Sequence, residues 1–93
     1  MTYKEFEEGI KKLGLFYNYE DLAVAVCEHD EYWLPLVWVS QTKPFVMTVT
    51  TEITNLSYLK KAKLVELCYK LAITPLDERQ TVILDWGEKR KWE

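Results

Sequence analysis

The stretch NLSYLKKAKLVELCYKLAI, from Asn55 to Ile73, decides the fold because it is the one long, strongly helical segment of the chain. No Gly or Pro interrupts it, and it consists largely of Lys, Leu and Ala, which favour helix. Asn55 predicts the start, since its side chain can accept a hydrogen bond from a first-turn amide. Pro75 predicts an end near Ile73, because proline disfavours helical backbone at the preceding residue.

One face of this helix is apolar when its residues are spaced at about 100° each, so the helix is predicted to pack across a sheet. The opposite side carries a polar stripe of Lys63, Glu66 and Lys70, which we interpret as its solvated back. The residues predicted to pack on the sheet are Leu64, Leu67, Cys68 and Leu71.

A shorter helix is predicted near the amino end, from Tyr3 to Leu13. Thr2 and Glu5 have the spacing of a capping box, in which each side chain bonds the other residue's backbone amide. Gly14 can adopt the left-handed conformation that often ends a helix. Gly9 lies inside the helix, where glycine costs about 1 kcal/mol relative to alanine.

Between the helices, three segments alternate apolar side chains in the manner of strands. The middle segment is apolar on both faces and is predicted to be central, although Pro35 cannot donate to a ladder. We therefore expect either a bulge at Pro35 or pairing that starts at Leu36. In the third segment, Phe45, Met47 and Val49 are predicted to point inward. The predicted strands are Leu22–Cys27, Tyr32–Ser40 and Phe45–Thr51.

The 93 residues are enough for one domain. A last strand is predicted at Thr81–Trp86, with a charged tail after it. The fold class is therefore α+β: an antiparallel β-meander packed against one long helix, in the order α-β-β-β-α-β. The alternative is a C-terminal extension in place of the last strand. The long helix covers one face of the meander, and the other face needs the first helix, a second copy of the chain or a partner.

Aromatic residues make up 14% of the chain, including four Trp and six Tyr. This exceeds what a small core readily absorbs, and Trp and Tyr are common anchors at protein–protein interfaces. The net charge of −3 argues against a polybasic nucleic-acid binder. Residues 1–31 hold three Lys against eight Asp or Glu, and this balance of −5 would attract a basic partner.

The predicted protein-binding surface is the turn and strand from residue 28 to residue 38. An acidic turn, a run of aromatic residues and Pro35 coincide only there. Trp33 is the predicted anchor, because an aromatic side chain rimmed by charges has the composition of a hot spot. The alternative is that Trp33 packs beneath the first helix. The residues assigned to this surface are Glu28, Asp30, Glu31, Tyr32, Trp33 and Trp38.

Nucleic-acid binding is the alternative function. Basic residues at the start of the long helix, and a basic tail that contains a Trp, could hold phosphates and stack bases. A solvated lysine face and a frayed tail explain the same residues, and we prefer that interpretation. The residues concerned are Lys60, Lys61, Lys63, Lys89, Arg90 and Trp92.

Catalytic and metal-binding patterns are sparse. His29 is the only histidine, so no site can use two. Cys27 and His29 would share one side of a strand, but the neighbouring carboxylates would raise the thiol pKa rather than lower it. The chain has three glycines and no glycine-rich phosphate loop. We therefore expect no enzyme activity, no metal and no cofactor.

Cys27 and Cys68 each lie in an apolar stretch and are predicted to be free, buried thiols, as suits a reducing cytoplasm. No apolar run has the length of a membrane span, and the amino end lacks the apolar region of a signal peptide. Both observations favour a cytoplasmic protein.

The segment Lys63–Arg79, KLVELCYKLAITPLDER, resembles a recurring stretch in small uncharacterised proteins of bacteriophages and prophages of Gram-positive bacteria. In those proteins an apolar helix runs into a Thr-Pro-(Leu/Ile)-(Asp/Glu)-(Glu/Lys)-Arg turn, followed by a short strand. The resemblance covers about a fifth of the chain. It implies an accessory protein of the host-cell cytoplasm with no assigned activity, and it carries over no catalytic residue. Some such proteins bind and block host or defence proteins.

Overall fold

The structure is a computed structural model that describes residues 1–30 and 34–80. Its helices and strands confirm the α+β class, in the order α-β-β-β-β-α. No helix in these two ranges is long and apolar enough to span a membrane. The predicted strand Thr81–Trp86 lies outside the described residues. The elements are α1 (Tyr3–Lys12), β1 (Phe16–Tyr19), β2 (Ala23–Cys27), β3 (Pro35–Ser40), β4 (Met47–Val49) and α2 (Tyr58–Ile73), with short 3-10 helices at Thr51–Asn55 and Leu76–Glu78.

The four strands form one antiparallel sheet in the order β1-β2-β3-β4. The sequence did not predict β1. This strand pairs with β2 from Phe16, opposite Cys27, to Tyr19, opposite Val24. Its sequence, FYNY, has no alternation of aliphatic and polar residues. Pairing with β2, rather than a local pattern, therefore defines it.

A bulge lies in β3 at the predicted position. Val26 is opposite Val37, whereas the next residue of β2, Cys27, is opposite Pro35, so Leu36 is the extra residue. As a result, the consecutive residues Leu36 and Val37 both belong to the buried core. Pro35 lies where the ladder is interrupted, which is where a residue without an amide is tolerated.

The strand predicted at Phe45–Thr51 is shorter in the structure, since β4 spans Met47–Val49. Phe45 was predicted to point inward, and this is wrong: its φ of 65° breaks the strand alternation and its side chain is 74% exposed. Val49 lies opposite the buried Val37, on the inward side as predicted, but it is 46% exposed because it lies on an edge strand. Met47 packs against the core as predicted.

The long helix begins at Tyr58 rather than at Asn55. Ser57 is the N-cap, and its side-chain oxygen accepts a hydrogen bond of 3.3 Å from the Lys60 amide. Asn55 instead closes a 3-10 helix. Leu56, which lies between Asn55 and Ser57, has an extended backbone and a buried side chain. A core contact, and not the capping preference of Asn55, therefore decides where α2 starts.

The first helix confirms its predicted caps. The capping box of Thr2 and Glu5 is formed in both directions, and Gly14 has a φ of 73°. Gly9 permits a close approach of α1 and α2, because a Cβ there would lie 2.7 Å from Cδ2 of Leu67. Leu67 thus packs on α1 and is only half-buried, whereas the apolar face of the helix predicts a contact with the sheet for it.

Both helices lie on the same face of the sheet, here called the covered face. The register places Val24, Val26, Val37 and Val39 on this face, and none of the four has any exposed surface. They form a single core with side chains of both helices. The first helix therefore does not cover the second face of the sheet. The helix residues of the core include Phe6, Ile10, Leu64, Cys68 and Leu71.

A fully buried arginine, Arg79, joins the helical layer to the sheet. Its Nη1 donates to the carbonyl oxygen of Ser40 at the end of β3, at 2.6 Å. Its Nε and Nη2 donate to the carbonyl oxygens of Thr74 and Ala72 at the end of α2, at 3.0 and 3.1 Å. The guanidinium also lies 5.9 Å from the ring centre of Tyr3. The turn in the segment that resembles phage proteins therefore fixes the end of α2 to the sheet.

Candidate functional site

The second face of the sheet, on which neither helix lies, carries aromatic side chains. The register places Phe16, Ala25, Trp38 and Thr48 together on this face, here called the open face. Phe16 is 43% exposed and Trp38 is half-buried, whereas Ala25 is only 2% exposed. Because the methyl group of Ala25 lies low between its neighbours, the larger side chains form the surface that a partner would contact.

A groove of about 220 Å³ lies at the end of the open face where β2 begins and β3 ends, and it is called the Trp38 groove below. Trp38 and Thr48, which are opposite each other in the sheet, line it. Leu22 and Val46, which are 70% and 45% exposed, lie at its sides. A groove of this composition can hold an apolar side chain. Its lining residues are Leu22, Ala23, Trp38, Ser40, Val46, Met47 and Thr48.

Leu22 is a residue of this groove that sequence reasoning missed. The alternation predicts Leu22 as the first residue of a strand, but β2 begins at Ala23 and the Leu22 side chain is exposed. Its carbonyl oxygen accepts a hydrogen bond of 2.8 Å from the Gln41 amide. The signal that could have identified it is the preceding pair Glu20-Asp21, which marks a turn rather than a strand interior.

Phe45, next to the groove residue Val46, is the second residue that was missed. Its backbone amide donates to the Ala72 carbonyl oxygen at 2.7 Å, and this bond ties the turn to the end of α2. The left-handed φ is rare for a bulky residue and costs about 1–2 kcal/mol. An exposed aromatic ring on a strained but anchored turn is typical of a binding position. Pro44, just before it, is the only local signal.

The predicted acidic surface is only partly described. Glu28 is half-buried and Asp30 is exposed, while Glu31, Tyr32 and Trp33 lie outside the described residues. Glu28 lines a second hollow, of about 190 Å³, at the opposite end of the sheet from the Trp38 groove. The structure therefore places Glu28 and Trp38 in different hollows. The second hollow is lined by Glu28, His29, Leu34, Leu36, Glu52 and Asn55.

Carboxylates flank β2 at both of its ends. Glu20 and Asp21 precede the strand and are exposed beside Leu22 of the Trp38 groove. Glu28 and Asp30 follow the strand at its other end. A partner that lies along the open face would therefore meet negative charge at each end of β2, which favours basic groups on that partner.

Both cysteines are free and buried, as predicted. Burial raises the pKa of the Cys68 thiol to about 12. Burial, with a smaller contribution from Glu20, also raises the pKa of Cys27. Neither thiol is therefore activated as a nucleophile. Nε2 of His29 lies 3.8 Å from a carboxylate oxygen of Glu28. Within residues 1–30 and 34–80, no three His, Cys, Asp or Glu side chains converge in a way that could hold a metal ion.

The basic residues of the nucleic-acid alternative lie on the first turns of α2, with Lys60 and Lys61 half-buried and Lys63 exposed. Lys89, Arg90 and Trp92 lie outside the described residues. The first turns of α2 also expose Tyr58 and Leu59, at 84% and 64%.

Comparison of this chain with models of known protein families, with curated proteins and with solved structures finds no match.

Proposed function

We propose that this chain is a small, non-enzymatic accessory protein of the bacteriophage type that acts in the host cytoplasm by binding another protein and blocking it. One observation carries the proposal: the open face has a partly exposed Trp38 beside an apolar groove, and neither helix lies on it. The phage assignment comes from the resemblance of Lys63–Arg79. The high pKa of both buried thiols is in keeping with a role that involves no covalent chemistry.

The chemistry of the open face defines the partner. An apolar side chain of the partner fills the Trp38 groove, since aromatic side chains in desolvated pockets supply most of the energy at interfaces. Basic residues of the partner face Glu20 and Asp21 at one end of β2 and Glu28 and Asp30 at the other. These charges raise the rate of association and select a basic partner, while the groove supplies the affinity.

Leu22→Glu tests this surface with little risk to the fold, because Leu22 is 70% exposed and precedes β2. The matched control is Leu59→Glu, which makes the same change at a side chain that is 64% exposed on α2, away from the groove. Wild type and both variants are immobilised and exposed to host lysate, and the retained proteins are compared by quantitative mass spectrometry. Thermal melting of each variant checks the fold.

The expected result is a protein that wild type and Leu59→Glu retain and Leu22→Glu loses by about tenfold or more, as a buried charge at a hot spot requires. That protein is then purified, and its binding is measured directly at two salt concentrations. Retention that is equal for all three forms excludes the groove. A retained species that is nucleic acid, lost on nuclease treatment, would favour the alternative function based on Lys60, Lys61 and Lys63.

A further inference from the structure

The edge of the sheet at β4 presents backbone groups that β3 does not use. The Ser40 amide donates to the Val46 carbonyl oxygen, and the Thr50 amide donates to the Leu36 carbonyl oxygen, each at 3.0 Å. These bonds and the register show that residues 46, 48 and 50 direct their backbone groups toward β3. The amides and carbonyls of the alternate residues 47 and 49 therefore point away from β3. Among the described strands, β4 is the last in the sheet order, so these groups face the free edge.

This edge lacks two of the usual protections against pairing. Natural edge strands are commonly blunted by charged side chains or by a proline on the strand. The sequence from Phe45 to Thr51 contains neither. Exposed apolar side chains lie on this segment and on the helix that contacts it: Phe45 is 74% exposed, Val49 46%, and Tyr69, on α2, 57%. Aromatic side chains bury roughly 150–250 Å² each, so pairing here removes apolar area from water as well as satisfying backbone groups.

Opposite charges lie at the two ends of the same edge. Lys43 precedes β4 and is exposed, and Glu52 follows it and is half-buried. Antiparallel pairing of two identical segments reverses one relative to the other. It brings the Lys43 end of each segment to the Glu52 end of the other, whereas parallel pairing would place like charges together. The edge is therefore complementary to itself in the antiparallel direction, which is the symmetry of an isologous dimer.

From these observations we infer that a second copy of this chain docks antiparallel along β4, which joins the two sheets into one. Thr48 lies at the two-fold axis, and the backbone groups of Met47 in each copy pair with those of Val49 in the other. Phe45 and Tyr69 cover the two flanks of the joined strands. This inference does not depend on the proposed function, which uses the open face and the Trp38 groove.

Sedimentation velocity over a wide range of protein concentration tests the dimer, with Val49→Lys as the disrupting variant. A lysine at this position is the device that natural edges use against pairing. The control is Leu59→Lys, which adds the same charge to an exposed position of α2 outside β4. Wild type and Leu59→Lys should dimerise at micromolar concentration, and Val49→Lys should dimerise at least about tenfold more weakly, because it places two like charges on the same face of the paired strands, one on each side of the axis.

Charge exchange separates pairing from a general loss of fold. Lys43→Glu alone should weaken the dimer, and Glu52→Lys alone should weaken it as well. The double variant Lys43→Glu/Glu52→Lys should restore it, since each end again faces the opposite charge. Hydrogen exchange tests the backbone pairing. The amides of Met47 and Val49 should become protected from exchange as the protein concentration rises, whereas exposed loop amides such as that of Thr42 should not.

Several results would overturn the inference. Wild type that stays monomeric throughout the range shows that the edge does not self-pair. Equal weakening by Leu59→Lys, or failure of the double variant to restore the dimer, places the contact elsewhere. Protection of Met47 and Val49 at every concentration in a monomer would assign the edge to a segment of the same chain.

Discussion

Strand β3 carries apolar side chains on both faces of the sheet, but the two faces differ in what lies on them. On the covered face, Val24, Val26 and Val39 have no exposed surface, because α1 and α2 pack on them. On the open face, the larger side chains of Phe16 and Trp38 remain partly exposed. Hydrophobicity alone would assign both faces of β3 to a core. Packing of the helices therefore distinguishes the face that forms the core from the face that stays partly exposed among the described residues.

The attachment of the helices to the covered face depends on Arg79, and its loss should give the largest effect. Arg79→Ala removes the donor from the carbonyls of Ser40 and Thr74, whereas the carbonyl of Ala72 keeps the hydrogen bond from the Phe45 amide. Each unsatisfied buried group costs about 1–3 kcal/mol, so we expect a loss of about 4 kcal/mol in the free energy of unfolding. Urea denaturation measures it, with the exposed neighbour Glu78→Ala as the control. A loss below about 1 kcal/mol would show that water replaces the guanidinium at little cost.

Core truncation in α2 comes next. Leu64 has no exposed surface, and Leu64→Ala should cost about 2–5 kcal/mol. Leu67 is half-buried against Gly9 of α1, so Leu67→Ala should cost about half as much. Both values come from the same denaturation experiment. Equal losses in the free energy of unfolding would contradict the position of Leu67 between the helices. They would support the contact with the sheet that the sequence predicts.

Trp38→Ala truncates a side chain on the open face. It tests whether this face differs in stability contribution from the covered face. Full burial of a tryptophan would make the change cost about 3–5 kcal/mol, but the partial exposure of Trp38 should reduce this to about 2 kcal/mol. We therefore expect Trp38→Ala to lower the free energy of unfolding less than Leu64→Ala does, although Trp38 is the larger side chain. If Trp38→Ala destabilises the protein more than Leu64→Ala does, the open face is part of the core.

The smallest expected effect concerns the backbone at Phe45, beside the open face. Asparagine tolerates the left-handed conformation better than other side chains with a Cβ, so Phe45→Asn should relieve strain that Phe45→Ala retains. We expect the asparagine variant to be more stable than the alanine variant by about 0.5 kcal/mol. The difference in thermal midpoint between the two measures it, because both remove the ring. An alanine variant that is equally stable would mean that the turn changes conformation once the ring is lost.

Where the signal was local, the sequence predicted the structure correctly. Thr2 and Glu5 are close enough in sequence to form their capping box without help from the rest of the chain. The bulge at Pro35 follows from a missing amide, and the end of α2 follows from Pro75. Where two segments had to meet, the prediction failed. β1 needed β2 as its partner, and the start of α2 needed a core contact of Leu56.

The candidate site shows the same division. The aromatic surplus and the acidic balance of residues 1–31 were readable from composition, and they led to an interface hypothesis that included Trp38. The exposure of Leu22 and Phe45 could not be predicted from the sequence. Strand alternation predicts the direction of a side chain only within a strand. Leu22 and Phe45 both precede the strands β2 and β4, so alternation does not apply to them.

The sequence by itself determined the α+β class and the helix boundaries set by Pro75 and by the capping box of Thr2 and Glu5, because each depends on neighbours within a few positions. Only the tertiary structure decided that both helices lie on one face and that Arg79 bridges Ser40 and Ala72, two carbonyls far apart in sequence. Packing is a sum over contacts between distant residues, so no local pattern specifies which of two apolar faces the helices cover. That choice left Trp38 beside an open groove.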